Sequence, residues 1–311
     1  MSFILLNMTY KKYIEIRPNS KLKFYFWSDP FRIPKEDTVL NELSERGIEF
    51  VIALGTHTMK DKCYNKIQSL IDYKIGINVC ILDKDFAHLD NSYKFKEIYK
   101  ILRSSNIFKN VKEIYIDAEI SNQYRNKLKN LSLNKKLTYF FNKIPKKKQI
   151  KTAIKDYNNL IDLIKRDGKK FGIIKAISAG HELEKLTRNV PFDDIYEDLI
   201  ITMIYRIPEG RSKEYKDFWF YQIAKKEGDN IFLGDIKDGY RSLKKDVSIC
   251  SYLKKKRVYI YDYYGFKKYC KLADLEPYNY FKLKKDTWEL MKHTVKFSSI
   301  EIADRFLKFF K

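Results

Sequence analysis

The chain has 311 residues, 44% of them hydrophobic and 15% aromatic. That is enough apolar surface for one large core or two small ones, and it excludes a disordered protein. A formal net charge of +22 points either to a polyanionic partner or to the Lys-rich, Gln-poor composition of hyperthermophile proteins, and the second reading is preferred.

Cys63, Cys80, Cys250 and Cys270 are too scattered for a zinc ribbon or a redox pair. No apolar run is long enough to span a bilayer, and MSFILLNMTYKKY lacks the basic start and small-residue cleavage site of a leader. A cytoplasmic protein without membrane contact is the expectation.

In chain order, residues 1–20 read as an extra strand or a lid at the bottom of the fold. Then a regular alternation begins. Leu22 to Ser28 is the first strand, followed by a helix from Pro34 to Arg46, with Pro34 in its first turn and Gly47 as its stop. Phe50 to Leu54 is the second strand and Lys60 to Tyr73 the next helix. Ile75 to Leu82 is the third strand, followed by a helix over Tyr93 to Ser104. The fourth strand runs through Ile114 to Ile120, the fifth through Phe171 to Ser178, and the sixth through Leu199 to Tyr205. A helix over Ser212 to Glu227 precedes the seventh, Ile231 to Asp235. A helix over Tyr240 to Lys255 precedes the eighth, Val258 to Tyr263.

Eight buried-type strands alternating with helices imply parallel pairing and a closed (β/α)8 TIM barrel, an α/β fold. An open doubly wound sheet is the fallback, weakened by the absence of GxGxxG or GxxxxGK[ST] after the first strand. One domain, 1–311, is expected, with its barrel core at 22–273. Two additions depart from a minimal barrel: an extra helical segment between strands four and five, broken near Pro145, and a C-terminal helical extension over 274–311. The break carries Lys143 to Lys148, in which Lys146, Lys147 and Lys148 read as a solvated turn, with a polyanion contact as the minority reading.

The stretch that carries chemistry is EIYIDAEI, Glu113 to Ile120. Alternation on a strand puts Tyr115, Asp117 and Glu119 on one face, and Ile114, Ile116 and Ala118 on the other. Two acids so close, if partly buried, cannot both ionise freely. One pKa should rise, which makes a proton donor near neutral pH.

Barrel active sites lie at the C-terminal strand ends, and the polar residues collect there. Strand one contributes Trp27 and Asp29, strand two His57, strand four Asp117 and Glu119, and strand six Tyr205 and Arg206. Strand seven contributes Asp235, and strand eight Asp262 and Tyr263. The N-terminal strand ends read as mostly Lys. Acids beside flat aromatic rings suit sugars, and glycoside hydrolysis needs one carboxyl to protonate the leaving oxygen and a second group at the anomeric carbon. Glu119 is read as the acid and Asp117 as its partner. His57, His181 and Asp235 could instead meet as metal ligands, but no HxH marks the first strand, so metal chemistry ranks below.

On these residues the chain resembles the glycoside hydrolase family 18 type of barrel, the chitinase-like family. That family ends its fourth strand in DxDxE, and YIDAE places Asp117 and Glu119 on the last two acids. Its sixth strand carries MxYD, and MIYR places Met203 and Tyr205 there. The resemblance implies that Glu119 is the catalytic acid and that Tyr205 contacts a sugar N-acetyl group. Tyr115 stands for the first Asp, Arg206 for the Asp after the tyrosine, and a Tyr for the usual strand-eight Trp; the family's SxGG is absent. The expected function is a glycosidase-like hydrolase acting on a glycan or other small polar substrate. Asp117 and Glu119 would be catalytic. Tyr205, Arg206, Trp27, Asp29, His57, Met203, Asp235, Asp262 and Tyr263 would bind substrate, and no metal or cofactor is expected. The alternatives are a non-catalytic barrel that binds carbohydrate, polyanion or nucleic acid, and a metal-dependent hydrolase.

Overall fold

In a computed structural model of the chain, eight parallel strands close into a barrel with helices between them. The structure describes residues 13–56, 58–82, 92–118, 131–132, 135, 147–176, 196–204, 213–234 and 241–285. The barrel strands, in order around the wall, are β2 (Lys23–Ser28), β3 (Glu49–Leu54), β4 (Ile77–Ile81), β5 (Val111–Ala118), β6 (Lys170–Ala176), β7 (Leu199–Ile204), β8 (Asn230–Leu233) and β9 (Arg257–Ile260). The helices are α1 (Asp37–Glu45), α2 (Asp61–Asp72), α3 (Ser92–Arg103), α4 (Lys147–Arg166), α5 (Lys213–Lys226), α6 (Arg241–Tyr252) and α7 (Tyr263–Tyr269). Among the described residues no helix is long and apolar enough to cross a membrane.

The two-residue period of each strand divides the apolar residues into two cores. On β5, Ile114, Ile116 and Ala118 face outward and pack in the layer that holds Phe95, Ile98 and Leu102 of α3 and Leu160, Ile161 and Ile164 of α4. Tyr115 faces inward with Tyr25, Val51, Cys80, Ile174, Ile201, Met203, Phe232 and Tyr259. Each fully buried large side chain of this kind contributes roughly 1.5–3 kcal/mol by leaving water.

The interior is crowded with rings. Tyr25 stacks on Tyr259 with centroids 4.5 Å apart, and Tyr115 meets Tyr259 edge-on at 6.1 Å. Gly172 on β6 makes room for Tyr115: a Cβ there would lie 2.5 Å and 2.6 Å from two ring carbons. The Tyr115 hydroxyl is held by Glu113 and Tyr259, so the ring has little freedom to move aside. Gly172→Ala is therefore expected to cost about 1–3 kcal/mol through overpacking, measured by chemical denaturation. A cost under about 0.5 kcal/mol, the range of a neutral surface change, would show that the ring can shift.

Several local readings change. Pro34 lies before α1, whose first residue is Asp37; Pro30 is the proline that opens a helix, the short 3-10 turn Pro30–Arg32 capped by Asp29. Gly47, with φ +64°, does end α1. The eighth barrel strand stops at Ile260, because the Asp262 carboxylate accepts from the Gly265 N–H at 2.7 Å and starts α7. An extra strand does precede the barrel: β1 (Tyr13–Ile16) pairs antiparallel with β10 (Phe281–Lys284). Within the C-terminal extension expected over 274–311, Phe281–Lys284 forms this strand, and 286–311, where its helix is expected, lie outside the described residues. Of the insertion between the fourth and fifth barrel strands, α4 is described, and its expected break near Pro145 lies outside.

Candidate active site

The inward face of β5 reads, from barrel bottom to mouth, Glu113, Tyr115, Asp117. Asp117 sits one residue before the end of the strand and is 8% exposed. It lies close enough to the fully buried Cys80 on β4 that its charge, after burial itself, pushes that thiol pKa up. Burial raises the Glu197 carboxyl pKa, and the charge of Lys175, which sits beside Ala118 on the neighbouring strand, offsets only part of that rise.

Near the mouth end of β2, β8 and β9, three rings cluster. Trp27, nearly buried, meets Phe232 edge-on at 5.7 Å and Tyr261 at 6.4 Å; Phe232 and Tyr261 are 6.2 Å apart. Tyr261 is 45% exposed and carries this aromatic wall toward solvent. Met203 on β7 is buried and pairs in register with Phe232. The structure thus gathers Trp27 and Met203 in one inner cluster with Cys80, the neighbour of Asp117. An aromatic wall with a buried carboxyl on the same inner surface can hold the apolar face of a ring and exchange a proton with it.

Three expected substrate contacts have partners of their own within the fold. Tyr263 is turned outward under the helix layer, where its ring packs on Phe26 and Phe50, and burial, helped by Glu36, pushes its phenol up to about 12. The reason is the early end of β9, which moves Tyr263 from a strand position to the first residue of α7. Asp29 accepts from the Phe31 N–H at 2.7 Å. Asp262 caps α7 and pairs with Arg32 at 3.1 Å. Both acids thus hold rim geometry. Glu119, Tyr205, Arg206, His57 and Asp235 lie outside the described residues, as does His181. Among the described residues no three His, Cys, Asp or Glu side chains could hold a metal ion.

The bottom of the barrel holds what the sequence reading passed over. Glu113 takes the Arg257 guanidinium on both carboxylate oxygens, at 2.9 and 2.8 Å, and also accepts from the Tyr115 hydroxyl. Beside it, Glu49 accepts from Lys23 at 2.8 Å, Lys112 at 2.9 Å and Asn78 at 3.0 Å. A Cβ on Gly76 would collide with the Glu49 side chain, so glycine there leaves room for this acid.

Burial works to raise the Glu49 pKa, but the bonds from Lys23, Asn78 and Lys112 outweigh it and leave the carboxyl below its ordinary value. A carboxyl whose folded pKa is depressed adds stability above its unfolded pKa, about 4.3. That stability is lost as pH falls through the folded pKa. Urea midpoints should accordingly fall on acidification below about pH 4–5, and Glu49→Gln should flatten part of that fall. Identical slopes in both proteins would remove Glu49 from the acid response.

No family model matches this sequence, and no curated protein does. Solved structures give low-identity likenesses. The active domain 2 of a chitinase from Pyrococcus furiosus aligns at 10% identity and a TM-score of 0.45, over 79% of this chain and 85% of that one. An endo-beta-mannanase/endo-beta-glucanase of Prevotella bryantii aligns at 10% identity and a TM-score of 0.43. It is covered over 73% of this chain, which spans only 40% of the length of that protein. A xylose isomerase domain protein from Planctomyces limnophilus aligns at 8% and 0.42, over 77% and 90%.

Proposed function

We propose that the barrel is a glycosidase-like hydrolase working at its C-terminal mouth. The observation that carries this reading is Asp117: a carboxyl held inward and nearly buried at the end of the fourth barrel strand, on an inner surface that the rings of Trp27, Phe232 and Tyr261 continue to the rim. The YIDAE motif supports it, since Glu119 follows Asp117 by two residues, the spacing of one strand face. In this reading Glu119 protonates the departing glycosidic oxygen, Asp117 orients it or the substrate, and the rings take the sugar's apolar face. Tyr205 and Arg206 are substrate contacts. The test is turnover of a glycan panel by the native chain and by Glu119→Gln. Equal turnover by the two proteins would sink the assignment.

A further inference from the structure

A Lys-rich composition explains how much positive charge the chain carries, but not where it lies. Helix α1 has three acids and no base, and α2 balances two of each. From α3 onward the sign changes: α3 has four basic residues against one acid and α4 six against two, while α5, α6 and α7 carry a smaller excess of two each. Helices α3 and α4 are neighbours, since Ser92 meets Asp156 and Arg103 pairs with Asp167.

Two stripes of like charge run along them. Lys148, Lys151 and Lys155 fall at i, i+3 and i+7 on α4, within roughly 10 Å of helix length, and all three are exposed. Lys96 and Lys100 fall at i and i+4 on α3 and are exposed as well. Like charges at such spacings repel and weaken the helix, so the stripes are not there for helix stability. The acids on and beside this face are Glu97, Asp156, Asp162, Asp167 and Asp198; Asp156 accepts from Ser92, Asp167 pairs with Arg103, and Asp198 pairs with Lys165.

Exposed rings flank the α4 stripe. Tyr93, the second residue of α3, is 58% exposed and follows Ser92, which touches Asp156. Tyr196 is 67% exposed, the highest among the described large hydrophobic side chains, and its N–H is bound by Asn158 at 3.1 Å. Because Tyr196 leads into β7, it approaches α4 from the side away from α3. A cationic track between two open aromatic faces matches what single-stranded nucleic acid needs: ammonium groups for phosphates and flat rings on which unpaired bases stack. A duplex would hide its base faces and gain nothing from the rings.

We propose that the outer face of α3 and α4 binds single-stranded nucleic acid, with Lys148, Lys151 and Lys155 on the phosphates and Tyr93 and Tyr196 under bases. This surface lies on the outer helix layer, whereas the proposed glycan site lies inside the barrel, and the proposal does not depend on glycan turnover.

The experiment is fluorescence anisotropy of a labelled oligothymidylate of about 15 nucleotides, within the span of known single-strand sites, titrated with the full chain across a salt series. A triple change, Lys148→Gln, Lys151→Gln and Lys155→Gln, should weaken binding at least about tenfold and reduce the log–log salt slope by about 2, near 0.7 per lost phosphate contact. Tyr93→Ala and Tyr196→Ala should each cost about tenfold with little change in slope. A control removing three exposed lysines elsewhere, Lys62→Gln, Lys225→Gln and Lys226→Gln, should cost less than about threefold. Far-UV circular dichroism checks that each variant is folded. No binding by the native chain, an equal loss in the control, or less than a threefold loss from both tyrosine changes would overturn the proposal. The last outcome, with heparin displacing the oligonucleotide, would mean a charge-only polyanion surface.

Discussion

Glu113→Ala should lower the stability of this barrel by about 3 kcal/mol, the largest single-residue effect expected outside the mouth. The change strands several groups at once. Arg257 loses both carboxylate contacts and keeps, among the described residues, a 3.4 Å contact with the Tyr259 hydroxyl and its place over the Tyr25 ring, 5.5 Å from the centroid. The Tyr115 hydroxyl, which burial together with Tyr259 and Glu113 holds firmly protonated, loses its strongest acceptor. Breaking one side of a buried ion pair costs about 3–5 kcal/mol, because the remaining charge is left without compensation. The lower end applies here: the Arg257 side chain is 18% exposed and recovers some solvent, whereas the Glu113 side chain is 8% exposed.

The same physics makes a second, opposite expectation for the pair. Glu113→Leu with Arg257→Met removes both charges and their desolvation together, and should come within about 1 kcal/mol of the native chain or exceed it. Chemical denaturation of the two single variants and the double closes a cycle that isolates the coupling. A cost below about 1 kcal/mol for Glu113→Ala would mean that the network is solvated and contributes as little as a surface pair.

How far the sequence revealed this molecule depends on which side chains the strand period could place. The alternation of β5 put Tyr115 and Asp117 inward and Ile114, Ile116 and Ala118 outward, and the two cores follow that division. Apolar runs of four to eight residues between helical stretches located all eight barrel strands, since parallel strands buried on both faces have no other way to read. What escaped was set by contacts distant in sequence. Nothing near Glu49, Glu113 or Arg257 announces their partners, which lie up to 144 residues away. The available signal was a charge opening an otherwise apolar strand, as in EFVIAL and RVYI. Tyr263 was misplaced because a strand's end there is decided by a side-chain cap, Asp262 on Gly265, that competes with continued pairing. Phe232 was overlooked because IFLGD reads as an unbroken apolar run, in which only the barrel's register shows which ring turns inward.

Glu119→Gln should reduce kcat/KM on a responsive glycan by about 10²–10⁴, the usual worth of a positioned proton donor, with chemical denaturation unchanged. Asp117→Asn tests the partnership rather than the donor. A nearby negative charge raises the pKa of a neighbouring carboxyl, and the reading requires Glu119 to be protonated when it acts. Activity is then lost as pH rises through the Glu119 pKa. Removing the Asp117 charge lowers that pKa, so the alkaline limb of the pH–rate profile should move to lower pH in Asp117→Asn. Asn keeps the size and shape of the buried side chain, so the barrel should still fold. A merely structural Asp117 would lower stability and leave the limb where it was. A shifted limb in Asp117→Asn together with a silent Glu119→Gln would transfer the donor role to another carboxyl coupled to Asp117 at the same mouth.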